Sequence, residues 1–490
     1  MVEALHEHAP NHTSMSEVME ELKLMRRLCL PISALNLLHY VKSMVTVLCL
    51  GRLGRAELAG GALAVGLTNV TGYSVLSGLA LGLEPLAGQA FGSGTGRTRS
   101  RPRRALRRAV LLLLAASFPV AALWACAGPA ARAARQDAAV ARAAGSYCRY
   151  AIPDLAAASV LLPARVYLRS KGETRRLASC AALAVALVHA PATAYLGARL
   201  RVPGVAMAAC MTSFATLAFL WISLTWAPAQ NEPDEPADLE EWAGVGQWAE
   251  WADLLRLSLP SCLSVCLEWW WYELMTIAAG YLRDPHTALA TAAIVIQTTS
   301  LLYTIPVTLS SAVSTRVANE LGAGRPRSAQ VSFVVAMGIA MMGSCVGLTW
   351  TTFGRGLWVQ VFTTDPTIQS LTTSVLPVIG LCELANCPQT TGCGVLRGSA
   401  RPAVGAAINL YSFYLVGAPV ALVLAFGLDM GFLGLCLGLL SAQVVCLISV
   451  GFATFQTDWE AEALKAFHLV GGGDEKCGDD LPCLAHKENV

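Results

Sequence analysis

Two glutamates and four aromatic residues occupy six consecutive positions, Glu268-Trp-Trp-Trp-Tyr-Glu273, inside a long apolar stretch. An ionisable side chain in such a stretch is costly, so its presence points to function more often than a surface charge does. Removal from water disfavours the charged form of a carboxyl group, which is the condition for taking up a proton near neutral pH. Aromatic faces attract organic cations. This window therefore predicts a site that binds protons and small organic compounds.

The two glutamates cannot share one face of a helix, because five residues of separation place them about 140° apart around the axis. Tyr272 follows Glu268 by one helical turn, and Glu273 follows Trp269 by one turn, so each carboxyl group has a ring beside it. An alternative interpretation is that one glutamate only bonds to a neighbouring helix. In that interpretation the tryptophans mark a membrane interface, where this residue is enriched.

A second acidic position has the same character. Glu383 lies in an apolar stretch with Asn386 one turn further on, and Pro388 should kink the helix there. This pattern fits a moving gate, and it also fits plain packing. Asp154, beside Pro153, nearly repeats the position of Glu383 in the first half of the chain; a structural bond explains it equally well. The predicted proton and substrate site comprises Glu268, Glu273 and Glu383, with Asp154, Tyr272 and Asn386 as secondary candidates.

Other motifs exclude several classes of function. Glu84 and Glu320 lie near predicted helix ends, and we expect structural roles for both, Glu320 through an ion pair with Arg316 one turn away. The sequence lacks a phosphate-binding G-x-x-x-x-G-K-[ST] loop and the H-E-x-x-H and G-x-S-x-G motifs in context. We therefore expect neither an enzyme nor a cofactor or metal site. The net charge of +2 gives no reason to expect a nucleic-acid partner.

The elements that must position these acids are membrane-spanning helices. Of 490 residues 55% are hydrophobic and 14% are charged, whereas soluble proteins have about 25% charged residues. Spanning the hydrocarbon requires about 20 apolar residues in a helix. Twelve windows qualify: 28–50, 58–83, 106–127, 145–168, 174–197, 203–226, 257–280, 288–312, 330–350, 371–395, 403–426 and 432–455.

Basic residues predict the orientation of these spans. Seven arginines lie between positions 97 and 108, five basic residues between 165 and 176, and three arginines between 316 and 327. Since cytosolic connections are rich in Lys and Arg, even-numbered spans should end in the cytosol, and both termini should lie there. The predicted organisation is a cytosolic tail (1–27), an N-lobe (28–226), an acidic cytosolic linker (227–252), a C-lobe (253–456) and a second cytosolic tail (457–490).

The two halves resemble each other. Gly88-Gln-Ala-Phe-Gly-Ser-Gly94 closes the second span as Ala318-Asn-Glu-Leu-Gly-Ala-Gly324 closes the eighth, and His189-Ala-Pro191 in the fifth parallels Gly417-Ala-Pro419 in the eleventh. Such offsets of roughly 230 residues indicate an internal duplication. Six spans per half give both halves one orientation. Transporters of this construction place the substrate between the halves and expose it alternately to the two sides.

Five long motifs, in order, resemble the multidrug and toxic compound extrusion (MATE) family, and within it the plant DETOXIFICATION branch. They are Glu57-Leu-Ala-Gly60, Gly78-Leu-Ala-Leu-Gly-Leu-Glu-Pro-Leu-Ala-Gly-Gln-Ala-Phe-Gly92, Cys266-Leu-Glu-Trp-Trp-Trp-Tyr-Glu273, Arg316-Val-Ala-Asn-Glu-Leu-Gly-Ala-Gly324 and Pro388-Gln-Thr-Thr-Gly-Cys-Gly-Val-Leu-Arg-Gly398. The resemblance implies a V-shaped pair of six-helix lobes and gradient-driven export through a central cavity. It also implies a proton and substrate site in the C-lobe, at Glu268, Glu273 and Glu383. The first span lacks the acid of many prokaryotic members.

Together these observations predict an all-α membrane protein with twelve transmembrane helices in two pseudo-symmetric bundles. The predicted function is secondary active export of small organic compounds, either cations or plant metabolites and xenobiotics, in exchange for protons. The alternatives are a major-facilitator-type carrier and a channel or receptor without proton antiport. We expect small-molecule substrates, protons and the lipid bilayer as partners and a monomeric chain. The location is the plasma membrane or an endomembrane of the vacuole, Golgi or endosome.

Overall fold

A computed structural model describes residues 14–94, 100–134, 137–226 and 248–470, and all regular secondary structure in these ranges is helical. Each of the twelve predicted spans corresponds to one long helix, interrupted in some cases by a π-helical turn or a break. The helices are α1 Met15–Leu53, α2 Ala56–Ser93, α3 Arg101–Ala125, α4 Ala138–Ser170, α5 Thr174–Leu200, α6 Val202–Thr225, α7 Trp248–Ala279, α8 Pro285–Gly322, α9 Pro326–Phe353, α10 Pro366–Gly398, α11 Pro402–Gly427 and α12 Phe432–Phe455.

Eleven of these helices in the described ranges are long and apolar enough to cross a membrane by composition alone. The twelfth, α7, is less apolar because it carries Glu268, Glu273 and the tryptophan run. Its length of 32 residues exceeds the about 20 residues that a bilayer requires. The chain is therefore an all-helical, multi-pass membrane protein.

Several helices extend beyond the predicted spans on the side where even-numbered spans end, which we call the linker side. α1 begins at Met15 rather than residue 28, because Ser14 and Glu17 form a capping box. α7 begins at Trp248, so the last five residues of the predicted linker are helical; residues 227–247 lie outside the described residues, as do 1–13 and 471–490. A further helix, α13 (Trp459–Val470), occupies part of the predicted C-terminal tail.

The duplicated prolines explain two helix irregularities. A π-helical turn, Val185–His189, precedes Pro191 in α5, and another, Leu410–Gly417, precedes Pro419 in α11. Proline lacks an N–H group, so the carbonyl four residues earlier loses its helical partner, and a wider turn accommodates it. The two halves thus repeat a backbone distortion as well as a sequence.

Each lobe has its own apolar core. In the N-lobe, Leu76, Leu113 and Trp124 are fully buried in one cluster, and in the C-lobe Phe413 and Leu439 belong to another. Helical spans in lipid associate through packing rather than exclusion of water, so close contact between helices must hold each bundle together.

The duplicated motifs at the ends of α2 and α8 pack against each other across the lobe boundary, on the linker side. A Cβ atom added to Gly88 would lie only 2.5 Å from the Cβ of Ala318. Gly92 packs on the backbone of Asn319, and Gly322 packs in the same way on Gln89. Side chains larger than hydrogen at these glycines would force the two lobes apart.

Candidate functional site

Glu268 is 9% exposed and projects from α7 into the C-lobe. The hydroxyl of Tyr303, at the point where α8 is interrupted between Leu302 and Thr304, is the hydrogen-bonding group beside its carboxyl group. The indole of Trp269 in turn faces Tyr303. A buried carboxyl group thus lies beside a tyrosine hydroxyl where α7 packs against α8.

Glu383 projects from α10 into the same region and is 3% exposed. Asn386 Nδ2 donates a 3.1 Å hydrogen bond to Glu383 Oε2, as their spacing of one turn permits. Glu383 and Glu268 lie close enough for their charges to interact, and the Tyr272 hydroxyl lies within range of both. The structure therefore brings together four of the six predicted site residues: Glu268, Tyr272, Glu383 and Asn386.

Glu273 points elsewhere, as its angular offset from Glu268 requires. It is half-buried, and its carboxylate oxygens lie 3.7 and 3.8 Å from the position that a Cβ atom on Gly66 of α2 would occupy. Close by, Trp270 Nε1 donates a 3.0 Å hydrogen bond to the carbonyl of Val70. This face of α7 is therefore turned toward the N-lobe, and Glu273 lies at the boundary between the lobes.

Asp154 lies in the N-lobe, apart from the C-lobe acids. It is 5% exposed on α4 and accepts a hydrogen bond from the hydroxyl of Tyr73, which belongs to a π-helical turn of α2 (Asn69–Tyr73). Its other oxygen, Oδ1, has no hydrogen-bond partner among the described residues. Tyr147 and Cys210 are the other titratable groups beside it.

Sequence reasoning missed two residues of this region, Tyr303 and Arg397. Within the described ranges, none of Glu268, Glu273 and Glu383 forms a salt bridge; Arg397, near the end of α10, is a basic group within electrostatic range of Glu268. A sequence feature that could have pointed to Tyr303 is Pro306, which follows it by three residues near the interruption of α8. Arg397 falls within the motif Pro388–Gly398, which the sequence distinguishes only through its resemblance to the family. Nor do three His, Cys, Asp or Glu side chains of the described residues cluster as metal ligands would.

A chain of hydrogen bonds connects Glu383 to Arg397. Thr390 Oγ1 donates to Asn386 Oδ1 at 3.2 Å, and the Thr390 carbonyl accepts from Ser310 Oγ at 2.6 Å. Ser310 Oγ also accepts a 2.8 Å hydrogen bond from Arg397 Nη2. Polar groups therefore continue from the acidic pocket toward the linker side of the C-lobe.

This series of hydrogen bonds ends at Glu84 of α2. Arg397 Nε donates to Glu84 Oε2 at 3.1 Å, Ser314 Oγ donates to the same oxygen at 2.6 Å, and Arg169 of α4 pairs with Oε1. Glu84 is 2% exposed, so this cluster is buried between the lobes. The predicted structural role of Glu84 is thus an ion pair that joins N-lobe to C-lobe. Glu320 likewise pairs with Arg316 at 2.8 Å, as predicted.

Two six-helix halves with repeated distortions, a buried acidic pocket in one of them and close packing between the halves on the linker side are the features of two-lobed membrane transporters. The MatE family model matches residues 31–195 and 260–423. Protein DETOXIFICATION 55 of Arabidopsis thaliana is 51% identical over 475 residues, which cover 95% of this chain and 94% of the relative. Protein DETOXIFICATION 51 of the same plant is 43% identical, with coverages of 94% and 85%.

Solved structures agree with these relatives. The crystal structure of the eukaryotic MATE transporter AtDTX14 superimposes with a TM-score of 0.86 at 28% identity and covers 93% of this chain and 100% of its own. An outward-facing MATE transporter of the MOP superfamily shares the fold, with a TM-score of 0.74 at 16% identity over 94% and 99% of the two chains. The chain belongs to the MATE family, in its plant DETOXIFICATION branch, and is a membrane transporter rather than an enzyme.

Proposed function

We propose that this chain exports small organic compounds in exchange for protons, by alternating exposure of a site between its two lobes. The proposal rests above all on Glu268 and Glu383, two carboxyl groups buried together with no salt-bridge partner among the described residues. Buried charges are normally paired. Carboxyl groups kept without a permanent counter-charge are free to bind a proton or a cationic cargo.

The physical basis of exchange is competition for the same negative charge. When both carboxylates are ionised they repel each other, and either a proton or a cation relieves that repulsion. Proton entry therefore weakens cation binding at Glu268 and Glu383, and loss of the protons restores it. The rings of Tyr272 and Tyr303 provide surfaces on which an organic cation can lie.

Glu273 and Asp154 are the other two acidic residues to which we assign a role in transport. Glu273 lies at the lobe boundary, so it contacts the transported compound in one arrangement of the lobes and loses that contact in the other. Asp154 is a separate N-lobe proton site; if its bond with Tyr73 is purely structural, Asp154→Asn lowers thermal stability and leaves the pH dependence of transport unchanged. Proteoliposomes loaded at a series of pH values distinguish these outcomes.

The proposed orientation places the linker side in the cytosol, with both termini there. The arginine-rich ends of the even-numbered spans support it. The chain is proposed to work as a monomer in the plasma membrane or an endomembrane. Protease protection of tagged ends in sealed vesicles tests the orientation.

Gradient-driven transport in proteoliposomes tests the main proposal. Glu268→Gln and Glu383→Gln keep the shape of the side chains but cannot release a proton, so each should reduce pH-driven flux by about 100-fold or more, the lower end of the effects known for general acid–base groups. Glu460→Gln, at an exposed acid of α13, is the matched control and should transport normally. Normal rates and normal pH dependence in Glu268→Gln, Glu273→Gln and Glu383→Gln would refute proton antiport at this site, and flux that needs no gradient would favour a channel.

A further inference from the structure

A cavity of about 480 Å³ lies in the N-lobe between α5 and α6, on the linker side. It is remote from the acidic pocket, since all four residues of that pocket belong to the C-lobe. α5 contributes the face that runs from Arg175 to Leu183, and α6 contributes Phe219, Ile222 and Ser223. The transport proposal gives this cavity no role.

The polar groups of the cavity lie at its linker-side end. Arg175 and Arg176 are in the first turn of α5, and Ser179 and Ser223 lie beside them. Glu173 pairs with Lys171 at 3.0 Å and with Arg176 at 3.4 Å. Arg175 is exposed and has no ion-pair partner among the described residues. Arg175 and Arg176 outnumber Glu173 at the mouth of the cavity, so these three side chains leave a net positive charge there.

The apolar groups lie deeper in the membrane. α5 runs inward from the linker side, and the eight steps from Arg175 to Leu183 span about 12 Å. α6 runs in the opposite direction, so Phe219 lies deeper than Ser223. Leu183 and Ile222 are 50% and 48% exposed, so the cavity opens sideways toward the hydrocarbon rather than into the protein. Leu187, 63% exposed, continues the apolar wall one turn further.

We propose that this cavity is a binding site for an anionic phospholipid. The phosphate of the headgroup lies against Arg175 and Arg176, and an acyl chain follows Leu183 and Phe219 into the bilayer. Basic pockets between helices on the cytosolic side are the known setting for such headgroups. A soluble phosphate would use only the basic end and would leave the apolar, lipid-facing half of the cavity without a role, so the lipid is the occupant that matches both ends.

Native mass spectrometry of the detergent-solubilised full chain tests the proposal, with dioleoylphosphatidylserine and dioleoylphosphatidylcholine as probes. The wild-type chain should bind phosphatidylserine more tightly than phosphatidylcholine. Arg175→Gln/Arg176→Gln should weaken binding of phosphatidylserine roughly 30-fold, from about 1 kcal/mol per basic residue. Arg256→Gln removes an exposed linker-side arginine of α7 outside the cavity and should have no effect.

Ser179→Phe keeps both arginines and places a ring between them and Leu183, across the path of the acyl chain, so it should abolish the preference for phosphatidylserine as well. Full binding by Ser179→Phe would place the lipid on the outer surface and overturn the assignment. Equal binding of the two lipids by the wild-type chain, an equal loss in Arg256→Gln, or binding of inorganic phosphate as tight as that of phosphatidylserine would overturn it too.

Discussion

Replacing Glu84 by glutamine should open the linker side of the protein. Glu84 is the common acceptor for Arg169 of the N-lobe and Arg397 and Ser314 of the C-lobe, and it is 2% exposed. Loss of its charge leaves two buried guanidinium groups facing each other, and breaking a buried pair in this way costs about 3–5 kcal/mol. Because the amide retains some hydrogen bonding, we expect about 3 kcal/mol. The guanidinium groups regain water when the lobes part, so the substitution destabilises only the arrangement that is closed on the linker side. The population of the closed arrangement relative to the open one should therefore drop roughly 100-fold.

Hydrogen–deuterium exchange of the reconstituted protein measures this change in the motifs 88–94 and 318–324, which are packed together when the linker side is closed. Glu84→Gln should accelerate amide exchange in both. Glu320→Gln is the matched control, read in the motif 88–94 because residue 320 lies within the other motif. Glu320 is also a buried acid near the end of its helix, 4% exposed, and among the described residues its ion-pair partners, Arg316 and Arg325, both belong to its own lobe. Equal exchange rates in the two variants would show that the Glu84 cluster does not hold the lobes together.

Three further outcomes are expected. Gly88→Ala should lower the midpoint of thermal unfolding, since it overfills a close interlobe contact at a cost of about 1–3 kcal/mol. Gly338→Ala, where a Cβ meets nothing within 4 Å, should not. Tyr303→Phe should slow transport in proteoliposomes about fivefold, the value of one hydrogen bond of about 1 kcal/mol, and a loss as large as that of the carboxyl group it faces would contradict this. Hydrogen bonds from Thr287 hold the pKa of Asp284, the N-cap of α8, below its ordinary value. Its stabilising contribution is therefore present above about pH 4 and lost as pH falls through the lowered pKa, so the thermal midpoints of wild type and Asp284→Asn should converge in acid.

The twelve spans were predictable because lipid leaves the backbone no alternative to helix. Helix ends were less so: hydropathy reports only the apolar part of a helix, whereas the start of α1 is set by a capping box in a polar segment. Mean hydropathy alone also fails to identify α7 as a membrane-spanning helix, because the site residues Glu268, Tyr272 and Glu273 lower its value.

The acidic site was predictable one residue at a time but not as an arrangement. Burial cost identifies Glu268 and Glu383 singly, and only the packing of α7 against α8 and α10 brings them together. Tyr303 carries no charge at neutral pH, so a search for ionisable groups passes over it. The opposite directions of Glu268 and Glu273 followed from helix geometry alone.

The contact between the duplicated motifs is self-complementary. Gly92 meets Asn319 while Gly322, its counterpart, meets Gln89, the counterpart of Asn319; Gly88 meets its own counterpart, Ala318. Reciprocal contacts of this kind characterise the interface of a two-fold symmetric homodimer. A single six-helix unit would already have possessed both sides of this contact, so the ancestor of the two lobes could assemble as a pair before gene fusion placed them on one chain.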